Sequence, residues 1–235
     1  MRLSELGFQD LYHQYFIVEG DDLTERFAGQ VRIREEDCFL LCSSYIEKSS
    51  GILMFNAMAV GSSWNRCRKG FSRSGMLGVF LPGEIMDCEA RIIDPDFDMV
   101  AKNKPWQEAA EMGTDEDVLI TRREPRLDPM RDISYPDVLT AGVLHTNGIY
   151  EVQMRASRFN GPFLEGRLWQ EPVQRIGIHK DDLLRALPYQ AEDGFHLLSI
   201  FTGDHLSRAD QKAYQELIKE GEAVGFGFSR MMTRS

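Results

Sequence analysis

The stretch VLTAGVLHTNGIYEVQMRA, residues 138–156, decides how this chain is read. Two runs of strand-forming residues, 138–146 and 149–156, are separated only by Asn147-Gly148, a pair that readily takes positive φ at both turn positions. Closing that turn pairs Thr146 with Ile149, His145 with Tyr150, Leu144 with Glu151, Val143 with Val152 and Ala141 with Met154. Paired residues share a face. One face therefore carries Ala141, Val143, His145, Tyr150, Val152 and Met154, and the other carries Thr140, Thr146, Glu151, Gln153 and Arg155 around Leu144 and Ile149. The first is expected to meet a core and the second to be wetter.

Downstream of this hairpin, residues 163–169 and 174–178 read as strands, 181–187 as a short helix ended by Pro188, and 195–202 as a strand. A helix over 207–222, capped by Ser207, leads to a last strand over 226–232. Upstream, residues 102–137 lose periodicity and carry Pro105, Pro125, Pro129 and Pro136. Nine acidic residues there, against four arginines, fall between Gln107 and Asp137. That segment reads as a connector, with 118–120 as one short strand. Ser4 caps a predicted first helix whose stripe is Leu6, Leu11, Tyr12, Tyr15 and Phe16 and which ends near Glu19-Gly20. Strands over 30–34, 38–46 and 52–60 follow as a meander, and 76–81 with 85–93 as a hairpin about Pro82-Gly83. The fold class is thus α+β, mostly antiparallel sheet with N-terminal and C-terminal helices. The length allows two sheet-bearing halves: a β-rich 1–101, an acidic connector 102–137 and an α+β 138–235.

Composition sets the class of partner. A 43% hydrophobic and 27% charged chain is a folded one, and a net charge of −10 weighs against broad binding to DNA or anionic membranes while leaving room for a local basic groove. The longest apolar run, 52–60, is interrupted by Asn56 and too short to span a bilayer, so the expectation is a cytoplasmic protein without membrane contact. Cys38, Cys42, Cys67 and Cys88 lack CxxC spacing and read as reduced, mostly buried thiols. No dinucleotide, phosphate-loop, zincin or nucleophile-elbow motif occurs, and no cofactor or metal is expected.

The concentrated basic patch is 61–75, where Arg66, Arg68, Lys69 and Arg73 interleave with Trp64 and Phe71 and no acidic residue intervenes. Such a patch clamps phosphate and offers rings for base stacking, or else is a solvated loop. His145 opposite Tyr150 has the makings of a general base. His196 with Asp204 and His205 offers weak metal ligation, and Asp94, Asp96 and Asp98 alternate as carboxylates do around a cation. An EF-hand is excluded, because Met99 and Pro105 stand where the loop needs glycine and glutamate.

Strand, helix, glycine loop and final strand at the C-terminal end, closing on Gly221-Glu222-Ala223-Val224-Gly225-Phe226-Gly227-Phe228, resemble the C-terminal unit of RAMP-superfamily CRISPR proteins. The resemblance implies RNA lying against the glycine loop and cleavage by a histidine nearer the N-terminus, the place His13 occupies. This loop departs from the pattern in lacking the first glycine pair and the basic residue, with Glu220 and Glu222 there instead. The leading functional expectation is an acidic binding protein acting on a protein partner without catalysis. RNA binding or processing through the basic patch is the alternative, and hydrolysis of a small molecule near His145 the second alternative.

Overall fold

Tyr15-Phe16-Ile17-Val18 lies at the centre of the first sheet, in a computed structural model that describes residues 1–71, 77–145, 148–161, 163–191 and 194–200. All four side chains are buried. A strand covered on both faces reads as an unbroken apolar run, so no alternation marks it. That is why the first helix expected from Ser4 is instead a 3₁₀ turn, Leu3–Glu5, a single helical turn α1, Phe8–Leu11, and then strand β1, Tyr15–Glu19.

The chain divides into two compact units, one of Met1–Thr114 with Ile133–Pro136, the other of Asp115–Asp132 and the chain from Asp137. After β1 the first unit continues through α2, Leu23–Arg26; β2, Phe39–Ile46; β3, Leu53–Gly61; α3, Trp64–Phe71; β4, Gly78–Phe80; α4, Pro82–Ile85; β5, Ala90–Ile93; and α5, Phe97–Glu111. Its sheet runs β4-β3-β2-β1-β5, antiparallel throughout. One face packs Phe16, Val18, Leu40, Phe55 and Phe80 with Leu3, Phe8, Leu11 and Phe27. The other packs Tyr15, Ile17, Leu41 and Ala59 with Cys67 and Phe71 of α3 and Met99 of α5. A bulge opposite Leu41/Cys42 places Met58 as an extra residue, so Phe55 and Ala57 face the first core and Ala59 the second.

Several expected elements change identity for local reasons. Residues 30–34 form a loop in which only Val31 is buried, following Gly29 at φ +86°. Pro82-Gly83 opens α4 and does not turn a hairpin: proline suits the first helical position, and Glu84 accepts the Leu81 N–H at 2.6 Å. β4 and β5 accordingly occupy opposite edges of the sheet. Asp96 caps α5, which runs into the expected connector, and within that connector Asp115 caps α6, Glu116–Arg122, so 118–120 is helical. Asp94, Asp96 and Asp98 mark the entry to α5, with Asp96 accepting the Met99 N–H at 2.9 Å.

The second unit is a closed barrel of β6, Val138–His145; β7, Gly148–Asn160; β8, Phe163–Leu168; β9, Leu183–Ala191; and β10, Gly194–Ile200. Consecutive strands are antiparallel. An odd number of them brings the first and last together in the same direction, so the closing β10–β6 pair is parallel. Leu139, Ala141, Val143, Val152, Met154, Leu164, Leu184 and Leu197 fill the interior. The hairpin ladder is shifted by two residues from the expected register: Val143 faces Tyr150, Leu144 faces Ile149, and His145 faces Gly148, not Tyr150. A slip of two leaves the faces unchanged, and Ala141, Val143, Val152 and Met154 are buried while Thr140 and Glu151 are exposed.

Residues 181–187, expected as a helix, enter β9, where Leu184 and Ala186 are buried and Leu183 and Arg185 exposed. Among the described residues β8 pairs with Leu183 to Ala186 of β9, and Pro188 faces Leu197 of β10. Residues 174–178 are irregular, with Gly177 at φ +78° and Ile176 and Ile178 sealing the barrel core. The architecture is α+β with antiparallel sheet. Among the described residues no helix is long and apolar enough to cross a membrane. The expected 207–222 helix, 226–232 strand and glycine loop, together with Asp204, His205, Arg73, Thr146 and Asn147, lie outside the described residues.

Candidate functional site: a cationic cleft in the first unit

β3 ends at Gly61, and the chain turns at once into α3. A Cβ on Gly61 would sit 2.5 Å from the Cys67 nitrogen, so only glycine lets the helix fold this closely over the strand end. Ser63 starts the helix: its Oγ accepts the Arg66 N–H at 3.3 Å and its carbonyl accepts the Cys67 N–H at 2.9 Å. Cys67 and Phe71, four residues apart, point into the core, and burial pushes the Cys67 thiol up to about 12. The flank beside them carries Arg66, Lys69 and Gly70, neighbours at helical spacing.

Across from this flank stands the loop that enters β2. Cys38 N–H donates to the Gly61 carbonyl at 3.2 Å and Thr24 Oγ1 to the Arg34 carbonyl at 2.9 Å, which pins the loop beside α3. Between the two walls lies a cleft of about 600 Å³ lined by Arg32, Arg34, Glu36, Asp37, Ser62, Arg66, Lys69 and the backbone near Gly61. Four cationic side chains face two carboxylates, a local surplus of two positive charges on a chain of net charge −10. Both carboxylates are engaged by one residue: Asp37 Oδ2 accepts the Arg34 N–H at 3.1 Å, and Glu36 lies 3.6 Å from the Arg34 guanidinium. Arg66 donates from Nη1 to Ser62 Oγ at 3.2 Å. Arg32 makes no hydrogen bond or ion pair among the described residues.

Of the sequence patch, Arg66 and Lys69 reach this cleft. Arg68 turns away to Asp96, with Nη2 and Nε at 2.7 and 2.9 Å, and ties α3 to the start of α5. The Met99 backbone N–H and then Arg68 hold the Asp96 carboxyl below its usual range. Phe71 is 5% exposed and offers no stacking face, while Trp64 is half-buried against the same core.

His13 stands elsewhere, at φ +58°, its ring stacked on Tyr12 and its Nε2 3.1 Å from Glu111 Oε1, which also accepts the Tyr12 hydroxyl. Tyr15 opposes Ser43 at that end of β1, whereas Glu19 opposes Phe39 and Phe39 opposes Gly61 at the cleft end. Four residues of strand put roughly 13 Å between the two ends. Tyr150 is half-buried against the barrel core, and the His145 side chain lies outside the described ones.

Arg32, Arg34, Glu36 and Asp37 were not legible as part of a site, because their meeting with α3 depends on the pairing of Phe39 with Gly61. The second unit has its own pocket, about 220 Å³, lined by Thr140, Glu151, Gln153, Gln170 and Glu171. Glu171 there accepts the Lys180 N–H at 2.9 Å and lies 2.7 Å from His179 Nδ1. On the barrel wall Glu165, 3% exposed, is already met by Asn160, Arg158 and Arg185 at 2.8–2.9 Å. No three His, Cys, Asp or Glu side chains gather as a metal site among the described residues. Compared with protein-family models, curated proteins and solved structures, the chain matches none.

Proposed function

We propose that this chain is a binding protein that acts without catalysis, gripping an acidic segment of a protein partner in the cationic cleft of its first unit. What supports the reading is the concentration of Arg32, Arg34, Arg66 and Lys69 around one concavity of an otherwise acidic chain. Clustered cationic side chains raise the local potential, so that a small patch attracts an anion although the whole molecule is negative. An extended RNA strand fits less well. It needs a continuous cationic track with stacking rings, whereas here Glu36 and Asp37 interrupt the track, Arg68 is engaged by Asp96, and Phe71 is in the core.

Fluorescence anisotropy of a labelled glutamate-rich peptide tests this, at about 0.15 M salt, where a Debye length of about 8 Å screens the acidic remainder of the surface. The native chain is expected to bind, and Arg32→Glu with Lys69→Glu to abolish binding. Equal binding by both proteins would remove the cleft from the account.

A further inference from the structure

We infer that the outer face of the barrel carries a second binding site, a pocket of the second unit that takes the arginine side chain of a partner polypeptide. Its residues all belong to that unit, so it stands independently of the cationic cleft. The pocket forms where a loop meets a strand face. Thr140 of β6 opposes Gln153 of β7, and Glu151, two residues before Gln153, shares that outward face. The loop after β8 is tied at both ends: the Trp169 N–H donates to the Gln153 carbonyl at 2.8 Å, and Ile176 and Ile178 are buried in the barrel core. Between these ties Gln170, Glu171 and Gln174 join Thr140, Glu151 and Gln153 in lining about 220 Å³.

The polar groups of the pocket suit a cationic donor. Glu151 is exposed, and its side chain makes no hydrogen bond or ion pair among the described residues. Glu171 is already engaged, its Oε2 accepting the Lys180 N–H at 2.9 Å and its Oε1 lying 2.7 Å from His179 Nδ1. The Lys180 N–H and then His179 hold the Glu171 carboxyl below its usual range, and Glu171 in turn raises the His179 imidazole, whose charge offsets its own. The charge left for a ligand is therefore that of Glu151. Among the described residues no cation lines the pocket, and Arg155, next on the same strand face after Gln153, lies over the Trp169 ring, 5.2 Å from its centroid. A carboxylate accepts and cannot donate, and a cationic donor bonds to it about twice as strongly as neutral partners bond to each other.

Size and shape select arginine. The volume of about 220 Å³ falls below the roughly 300–1,000 Å³ of pockets that enclose drug-sized ligands, and leaves room for one long side chain. Pro172 and Val173 supply an apolar wall for its methylene stem. A guanidinium fork meets a carboxylate with two parallel N–H bonds and keeps further donors for the Thr140 hydroxyl and the glutamine amide oxygens, whereas an ammonium is a compact point charge with fewer donors. Val173 is 95% exposed, and Ile149, two residues before Glu151 on the same face, is 57% exposed. Covering those two apolar side chains takes the chain that flanks the arginine, which makes the source a polypeptide and not a free amine.

The test is anisotropy with three labelled, degenerate peptide libraries that differ only at the central position: arginine, lysine or citrulline, the neutral isostere of arginine, at about 0.15 M salt. The arginine library is expected to bind about tenfold or more tightly than the citrulline library. Glu151→Gln is expected to weaken arginine binding by about tenfold while leaving the thermal midpoint in place, which shows that the variant folds. Asp87→Asn, which removes the same charge at an exposed position of the first unit, is expected to leave binding unchanged. Failure of the arginine library to bind, equal binding of the arginine and citrulline libraries, or an equal loss in the two variants overturns the site. Lysine peptides binding as tightly as arginine peptides overturn the guanidinium, and free arginine binding as tightly as the peptides overturns the polypeptide source.

Discussion

Two residues show how much of this structure hangs on single atoms. Gly61 is required by contact, not by conformation: a methyl there would press on the Cys67 nitrogen and Cα at 2.5 and 2.9 Å. Gly61→Ala is expected to cost about 1–3 kcal/mol, the usual price of forcing atoms into packed space, and to displace α3 with Arg66 and Lys69 on it. Urea unfolding and the peptide titration read the two effects, and a variant with native stability and affinity would contradict the close approach. Glu47 works through hydrogen bonds at the turn after β2. Its carboxylate accepts the Ser49 hydroxyl at 2.6 Å and N–H at 3.0 Å and the Ser50 hydroxyl and N–H at 2.7 and 2.8 Å, which holds the carboxyl at about 2. A carboxyl depressed on folding stabilises at pH values above its unfolded range, and that contribution is lost as pH falls through the folded value. The stability difference between the native chain and Glu47→Gln should therefore shrink below about pH 4.5 and vanish below about pH 2. A difference constant across urea midpoints from pH 6 to pH 2 would rule this role out.

At the scale of elements, period and burial decided what could be read in advance. The β6–β7 hairpin was legible because one face is wet and the other buried, and Ala141, Val143, Val152 and Met154 keep their predicted face even with the register shifted by two residues. β1 was not, since burial on both faces erases the alternation and lets Leu11, Tyr12, Tyr15 and Phe16 imitate a helical stripe. β9 was hidden behind Pro188, and α5 and α6 behind acidic residues that serve as caps. Half of the cleft was visible as a cluster on one short segment; the opposing wall became visible only through strand pairing.

The same scale holds one strong prediction about the second unit. Arg122 at the end of α6 meets Asp137 just before β6 with two bonds, 2.9 and 2.8 Å, and the two side chains are only 3% and 5% exposed. Removing one partner of such a buried pair leaves the other charged and desolvated, so Asp137→Asn should destabilise the unit by about 3–5 kcal/mol. Chemical denaturation followed by the fluorescence of Trp169, with Trp64 and Trp106 replaced, isolates that unit. A loss below about 1 kcal/mol would place the pair among weak surface-type bridges.

The whole molecule combines an acidic chain, two compact units and, among the described residues, a cationic concavity in the first of them. Net charge weighed against broad binding to DNA or anionic membranes and left room for a local basic groove, and the structure gathers residues from 32–37 and 61–70 at one place. His13, the candidate carried over by family resemblance, lies at the opposite end of β1, so basic patch and histidine do not make one site. The most direct measurement is an amide chemical-shift titration of the labelled chain with the acidic peptide. The account predicts saturable shifts at Arg32, Arg34, Asp37, Ser62, Arg66 and Gly70, with the amides of β6 to β10 unmoved. Shifts gathered around Glu151 and Glu171, or around His13 and Glu111, with the cleft amides silent, would contradict it.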